Sequence, residues 1–317
     1  MTGSHHHDDH SHRACQGHGG HTHGDHGQIA NFDRAFAIGI GLNTAFVLIE
    51  TGYGFVANST ALLADAGHVM LDVTGLALAL GAIRLADRPV SGTRTFGWYR
   101  VEVLVAGANA ILLIGLAAFL LFESWQRLSH PADVASGLML VVAIVGATGN
   151  LVSLVLLRAP GRRSLTLRGA YLEVLGDLLA SVAVIVAALV VAWTGADTAD
   201  ALASAVIGLL ILPRAWSLLR EASEVLLEAV PRGLHMDEVR RHLLEADGVD
   251  DVHDLHAWTI TSGQPVVSAH VVLRAGADPG RVLDEVCRCL AGDFDIDHST
   301  IQLETSDRRR LEEAGHP

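Results

Sequence analysis

At 317 residues the chain is long enough for two domains; with half of its residues hydrophobic and a mean hydropathy of +0.37, its composition argues against a purely soluble enzyme and for a membrane protein. All 22 basic residues are Arg, and against 35 Asp and Glu they leave a formal charge of -13, which disfavours nucleic acid and acidic lipid surfaces as partners and suits cations. The three cysteines, Cys15, Cys287 and Cys289, are too few and too poorly placed for a disulfide framework, which points to a reducing compartment.

Residues 1–30 are polar, and the stretch "HHHDDHSHRACQGHGGHTHGDH" holds half of the 18 histidines, interleaved with Asp and Gly. So little apolar content does not fold, and the expectation is a disordered cytoplasmic tail that collects metal at low affinity. No basic-then-apolar leader with a cleavage site precedes the first apolar run, so insertion is expected to use that run itself.

Six apolar runs follow, each near the length that spans a hydrocarbon core: 35–56, 61–86, 101–122, 134–157, 170–193 and 199–212, the last continuing as an amphipathic helix. Together they predict a six-helix transmembrane domain over 31–220. The second-to-third connection carries Arg88, Arg94 and Arg100, and the fourth-to-fifth carries Arg158, Arg162, Arg163 and Arg168. The fifth-to-sixth connection has Asp197 and Asp200 and no Arg. The positive-inside rule then puts both termini in the cytoplasm. Polar residues within the spans, Asn43, Glu50, Asn109 and Asn150, are expected to bond between helices and are given no transport role.

From residue 221 the composition is that of a small globular domain. "MDEVRRHLLEADGV" reads as an amphipathic helix, "DVHDLHAWTIT" and "PVVSAHVVLR" as a hairpin, "DPGRVLDEVCRCLAGD" as a second helix and "HSTIQLET" as a last strand. The order α-β-β-α-β predicts a ferredoxin-like α+β domain over 221–306, with 307–317 a solvated tail. Alternation turns Val267, Ala269, Val271 and Leu273 inward and puts Ser268 and His270 on the other face, with His298 and Glu304 on the outer face of the last strand. His235 and His242 read as plain surface residues. Cys287 and Cys289 are too close for a zinc knuckle and point in different directions on a helix, one toward the core and the other incidental.

The chemistry concentrates in two of the apolar runs. "LLADAGHVMLDV" places His68 and Asp72 four residues apart, and "GAYLEVLGDLLASV" does the same with Glu173 and Asp177. Residues at i and i+4 share a helical face, so two such faces build a four-ligand cation site. Burying four ionisable groups in lipid without a counter-ion costs several kcal/mol, which a divalent cation or protons would relieve. Asp65, one turn above His68, reads either as an outer group supporting that site or as a helix-start residue.

The motifs "STALLADAGHVMLDV", "RTFGWYRVEVL", "GAYLEVLGDLLASV", "HDLHAWTI", "SAHVVL" and "HSTIQLE" occur in an order that resembles the cation diffusion facilitator family of zinc transporters, from about residue 36 to 304. The resemblance implies six transmembrane helices, a cytoplasmic ferredoxin-like domain, a homodimer in the lipid bilayer, and export of divalent metal, commonly zinc exchanged for protons. It also implies that His253, His270, His298 and Glu304 are regulatory zinc ligands near the dimer interface; His256 is a weaker candidate. Zinc members usually carry a His-Asp pair on the fifth helix, where this chain has Glu173 with Asp177. One imidazole with three carboxylates is a harder ligand set, which moves preference toward Mn, Fe or Co while zinc remains the expected substrate, with Cd and Co beside it. Three mutually repelling carboxylates are expected to hold a proton when no metal is bound, the basis for antiport.

The connection "RPVSGTRTFGWYR" lacks ligands for a further metal site, and "RAPGRRSLTLRG" lacks the His-rich insertion of many eukaryotic zinc members, which favours a bacterial protein of the inner membrane. No HExxH helix or nucleophile elbow supports an enzyme. The alternatives are an Mn, Fe or Co exporter of the same family, or a membrane-bound metal sensor that binds without moving its ion.

Overall fold

The computed structural model describes residues 41, 44–86, 88–89, 92–157, 165–261 and 263–312, without the side chains of 83, 156, 157, 165–170, 172, 173 and 310–312. The His-rich stretch 1–30 and the start of the first predicted span lie outside the described residues. The chain divides into two compact units between Leu227 and Glu228.

The first unit is helical: α1 (Thr44–Ala57), α2 (Thr60–Ala86), α3 (Arg100–Ser129), α4 (Ser136–Leu157), α5 (Leu165–Thr194) and α6 (Thr198–Leu226). Among the described residues five helices are long and apolar enough to cross a membrane, and the described part of α1 is shorter. The sixth predicted run extends without a break through Pro213 to Leu226 as one helix. Large apolar side chains such as Phe55, Phe119, Trp125 and Trp193 point outward, an arrangement that water penalises and lipid does not. The interior is lined instead by small residues, including Ala61, Ala64, Ala117, Ala180 and Ala203, which let helices approach closely. At Gly75 a Cβ would sit 2.6 Å from the terminal amide of Asn109, so a larger residue at this crossing of α2 and α3, one turn from Asp72, would displace that side chain.

One buried carboxylate sets the start of α2. Asp200, in the first turn of α6, is fully buried and accepts from Ser59 Oγ at 2.5 Å, Thr60 N at 2.7 Å, Thr60 Oγ1 at 2.8 Å and Ala61 N at 3.2 Å. Ser59 Oγ in turn accepts from Leu62 N at 3.1 Å, which makes it the N-cap of α2. The amide groups that open a helix have no partner within it, and here a neighbouring helix supplies a negative charge at the positive end of the dipole. Asp200, read from sequence as a loop acid, therefore fixes the height of α2 against α6.

The second unit contains α7 (Met236–Glu245), β1 (Val249–Thr259), β2 (Pro265–Leu273), α8 (Pro279–Asp293), β3 (His298–Glu304) and α9 (Ser306–Glu312). The sheet order is β1-β2-β3, with β1 antiparallel and β3 parallel to β2, the latter joined through α8. Together with the two helices against the sheet this is the predicted ferredoxin-like α+β arrangement. Val239 and Leu243 of α7 and Val282, Val286 and Leu290 of α8 recur at i and i+4 and bury against Val249, Val267, Ala269 and Val271. The predicted solvated tail instead begins with α9, whose Arg309 reaches back to Asp251 Oδ2 at 3.0 Å.

Candidate metal centres

Helices α2 and α5 bring three of the four intramembrane candidates together. His68 Nε2 lies 3.5 Å from Asp72 Oδ2 and 3.4 Å from Asp177 Oδ1, so one atom from each residue can face a common point. The i and i+4 spacing stacks His68 over Asp72 on α2, and the crossing of α5 delivers Asp177 from the opposite side. Glu173 lies on α5 one turn before Asp177, and its side chain is outside the described residues. His68 Nδ1 and Asp177 Oδ1 are buried and make no hydrogen bond among the described residues. A buried polar atom without a partner is costly, and a cation held between His68 Nε2 and the two carboxylates would complete Asp177 Oδ1.

A cavity of about 670 Å³ opens beside these side chains, lined among others by His68, Asp177, Ile211, Arg214, Ser217 and Glu221. Arg214 of α6 places its Nη1 3.3 Å from Asp72 Oδ2. The guanidinium supplies the positive charge that a metal would otherwise bring, and a metal that engages Asp72 must compete with it. Replacing Arg214 with Gln is expected to lower the metal concentration for half-maximal uptake by about threefold to tenfold, the discounted effect of removing one partly exposed charge. Initial uptake rates over a metal series check this.

Asp65 lies inside α2, beyond its Ser59 cap, and is not a helix-start residue. It is buried, and it accepts a long 3.5 Å hydrogen bond from Ser181 Oγ of α5. Glu50 of α1, only 1% exposed, packs against Asp65. Asn150 of α4 donates to Ser181 Oγ at 3.4 Å, so the polar residues of α1, α4 and α5 meet at Asp65.

In the second unit a three-residue cluster forms on the sheet. His253 and His270 are directly paired across β1 and β2, with ring centroids 5.0 Å apart. Glu304 Oε2 lies 3.1 Å from His253 Nε2, and its Oε1 lies 2.9 Å from His270 Nδ1. Asp254 adds a carboxylate 3.8 Å from each imidazole. It reaches them because β1 bulges between His253 and His256, with Asp254 at a φ of 45°. The bulge was invisible to strict alternation, and with it the part of Asp254. His298 and His256 do not join. β2 pairs with β3 so that His298 faces Val266 and Glu304 faces Val272, which puts the two ends of β3 about 20 Å apart at a strand rise of about 3.3 Å. Glu304, expected on an outer face, shares that face but is buried beneath the two imidazoles.

One further sequence reading changes. His242 is not a plain surface residue: its Nδ1 lies 3.3 Å from Asp293 Oδ2, and its ring meets Phe294 edge to face at 5.1 Å. Both cysteines of α8 are half-buried: Cys289 packs against the core and donates to Asp293 Oδ2 at 3.7 Å, and Cys287 lies beside Ser299 Oγ at 3.9 Å. Burial first, then the Asp293 carboxylate with Glu245 and Glu285 farther out, pushes the Cys289 thiol up to about 11.

A helical unit with apolar outer faces and a converging His-Asp-Asp cluster in its interior, followed by an α+β unit with its own His-rich cluster, defines a membrane protein that handles metal cations. Comparison with known proteins carries this further. The family described as "Cation efflux transmembrane domain" matches residues 36–227, and "Cation efflux protein, cytoplasmic domain" matches residues 231–306. Among similar proteins, the metal cation efflux system protein CzcD of Cupriavidus metallidurans is 41% identical over 298 residues, covering 94% of this chain and 93% of its own. The zinc transporter ZitB of Escherichia coli is 37% identical over 276 residues, 86% of this chain and 88% of its own. A cadmium, cobalt and zinc/H(+)-K(+) antiporter of Bacillus subtilis is 34% identical over 289 residues, 89% and 91% of the two chains. The chain belongs to the cation diffusion facilitator family of cation-efflux transporters. It is an integral membrane transporter and not an enzyme.

Proposed function

We propose that the chain exports zinc from the cytoplasm in exchange for protons, with His68, Asp72, Glu173 and Asp177 as the ligands of the moving ion. The observation that carries this reading is the convergence of His68, Asp72 and Asp177 beside a cavity within the helical unit. The names of the similar proteins support it: one is a zinc transporter, and another an antiporter of cadmium, cobalt and zinc. Glu173 completes the shell from the α5 face it shares with Asp177, giving one nitrogen and three carboxylates, a set that zinc accepts and that cadmium and cobalt share. In this reading the chain crosses a bacterial inner membrane six times with both termini in the cytoplasm and works as a homodimer. His253, His270 and Glu304 form a regulatory site that senses cytoplasmic metal.

The same sheet cluster favours one other reading, a sensor that binds metal without moving it. Reconstituted vesicles loaded with a metal-responsive dye separate the two. The export reading expects a luminal signal on adding zinc to wild-type vesicles; tight binding with no luminal signal would sink it. Replacing Glu173 with His is expected to raise the zinc-to-manganese ratio of initial rates by about tenfold, because imidazole is softer than carboxylate. An unchanged ratio would remove Glu173 from the shell and leave the metal preference to other residues.

A further inference from the structure

The second unit holds another set of metal-capable side chains, on its helices instead of its sheet. Cys289 and Asp293 are four residues apart on α8 and share one face, and His242, in the last turn of α7, lies opposite them. The Asp293 oxygen is 3.3 Å from His242 Nδ1 and 3.7 Å from Cys289 Sγ, and the three ligand atoms all lie within 4.8 Å of one another. In a tetrahedral zinc site with bonds of about 2.0 Å to nitrogen and oxygen and 2.3 Å to sulfur, neighbouring ligand atoms stand about 3.3–3.6 Å apart. The spacing seen here needs only small side-chain rotations to meet that edge length. The ring of His242 also packs edge to face on Phe294 at 5.1 Å.

We propose that His242, Cys289 and Asp293 form a metal site that clamps α7 to α8 and takes a borderline-soft divalent cation, zinc or cadmium, in preference to manganese. The thiolate decides the class of metal, since hard oxygen-seeking ions gain little from sulfur. Glu245 and Glu285 lie near enough to Cys289 to add negative field without entering the triad. Three protein ligands leave the fourth position to water, and Asp293 is 56% exposed, so the ion exchanges with solution. The site is chemically unlike both the carboxylate-rich intramembrane centre and the sulfur-free sheet cluster, which gives it a spectroscopic signature neither can produce.

The test uses the full-length protein in detergent with Cys15→Ser and Cys287→Ser, which leaves Cys289 as the sole thiol among the three cysteines. Titration with cadmium alone is expected to raise a thiolate-to-metal charge-transfer band whose plateau corresponds to one thiolate bound per chain. Cys289→Ser removes the band, and His242→Ala or Asp293→Asn shifts its midpoint to at least about tenfold higher cadmium. In the unaltered protein, cadmium is expected to slow alkylation of Cys289, read by mass spectrometry of its peptide, at least as strongly as zinc and far more than manganese. Absence of the band together with unchanged alkylation, or a band indifferent to both His242→Ala and Asp293→Asn, overturns the proposal.

Discussion

Vesicles carrying the Asp177→Ala variant are expected to take up zinc at about one hundredth of the wild-type rate or less, since losing a ligand exceeds the tenfold to hundredfold cost of losing a group that only supports one. Asp177 is the proposed ligand that α5 contributes among the described side chains, and without it only His68 and Asp72 of α2 would remain to hold the ion. Arg214, still 3.3 Å from Asp72, then competes on better terms for the remaining carboxylate. Asp177→Asn keeps the shape and one oxygen but loses the charge, and its rate is expected to fall between the two. Zinc binding to the His253, His270 and Glu304 cluster, which lies in the other unit, should be unaffected in a titration of the solubilised variant. Wild-type flux in Asp177→Ala would mean that the ion takes another path.

The second large effect falls on a residue that never touches the ion. Asp200→Ala removes a buried acceptor of four hydrogen bonds and leaves the opening amides of α2 without their partner from α6. An N-cap is worth about 1 kcal/mol and buried charge-assisted bonds more, so a loss of about 3 kcal/mol is expected. The melting midpoint in detergent should drop by about 6–12 °C. Asp200→Asn keeps two acceptor lone pairs and should lose less than half as much. Because α2 carries His68 and Asp72, uptake at a fixed low metal concentration should fall with the midpoint, whereas an unchanged midpoint would show that Ser59 alone caps the helix.

The features legible in the sequence are those that depend on one element at a time. The apolar runs, the i and i+4 pairs of His68 with Asp72 and of Glu173 with Asp177, and the α-β-β-α-β order of the second unit all follow from local periodicity. What escaped depends on how elements meet. Asp200 looked like a loop acid because its partners, Ser59 to Ala61, are about 140 residues away in sequence and only the crossing of α6 over α2 unites them. Asp254 was hidden by a bulge that alternation does not anticipate. The family resemblance groups His298 with Glu304, but on this strand the two stand at opposite ends, separated by its full length. His242, Cys289 and Asp293 come from separate helices, and the Cys-x-x-x-Asp half of the triad carries no known zinc spacing to announce it. Glu50 and Asn150 were read as ordinary interhelical bonders; their meeting around Asp65 and Ser181 links three helices to α2, one turn from His68.

The most direct measurement of the central claim records zinc and pH together inside vesicles that contain the unaltered protein. Adding zinc outside, with no imposed pH gradient, is expected to raise luminal zinc and make the lumen more alkaline with the same time course, as protons leave through the site that the ion enters. Zinc accumulation at constant luminal pH, with an ionophore control showing that the vesicles hold a proton gradient, would contradict exchange of metal for protons at His68, Asp72, Glu173 and Asp177.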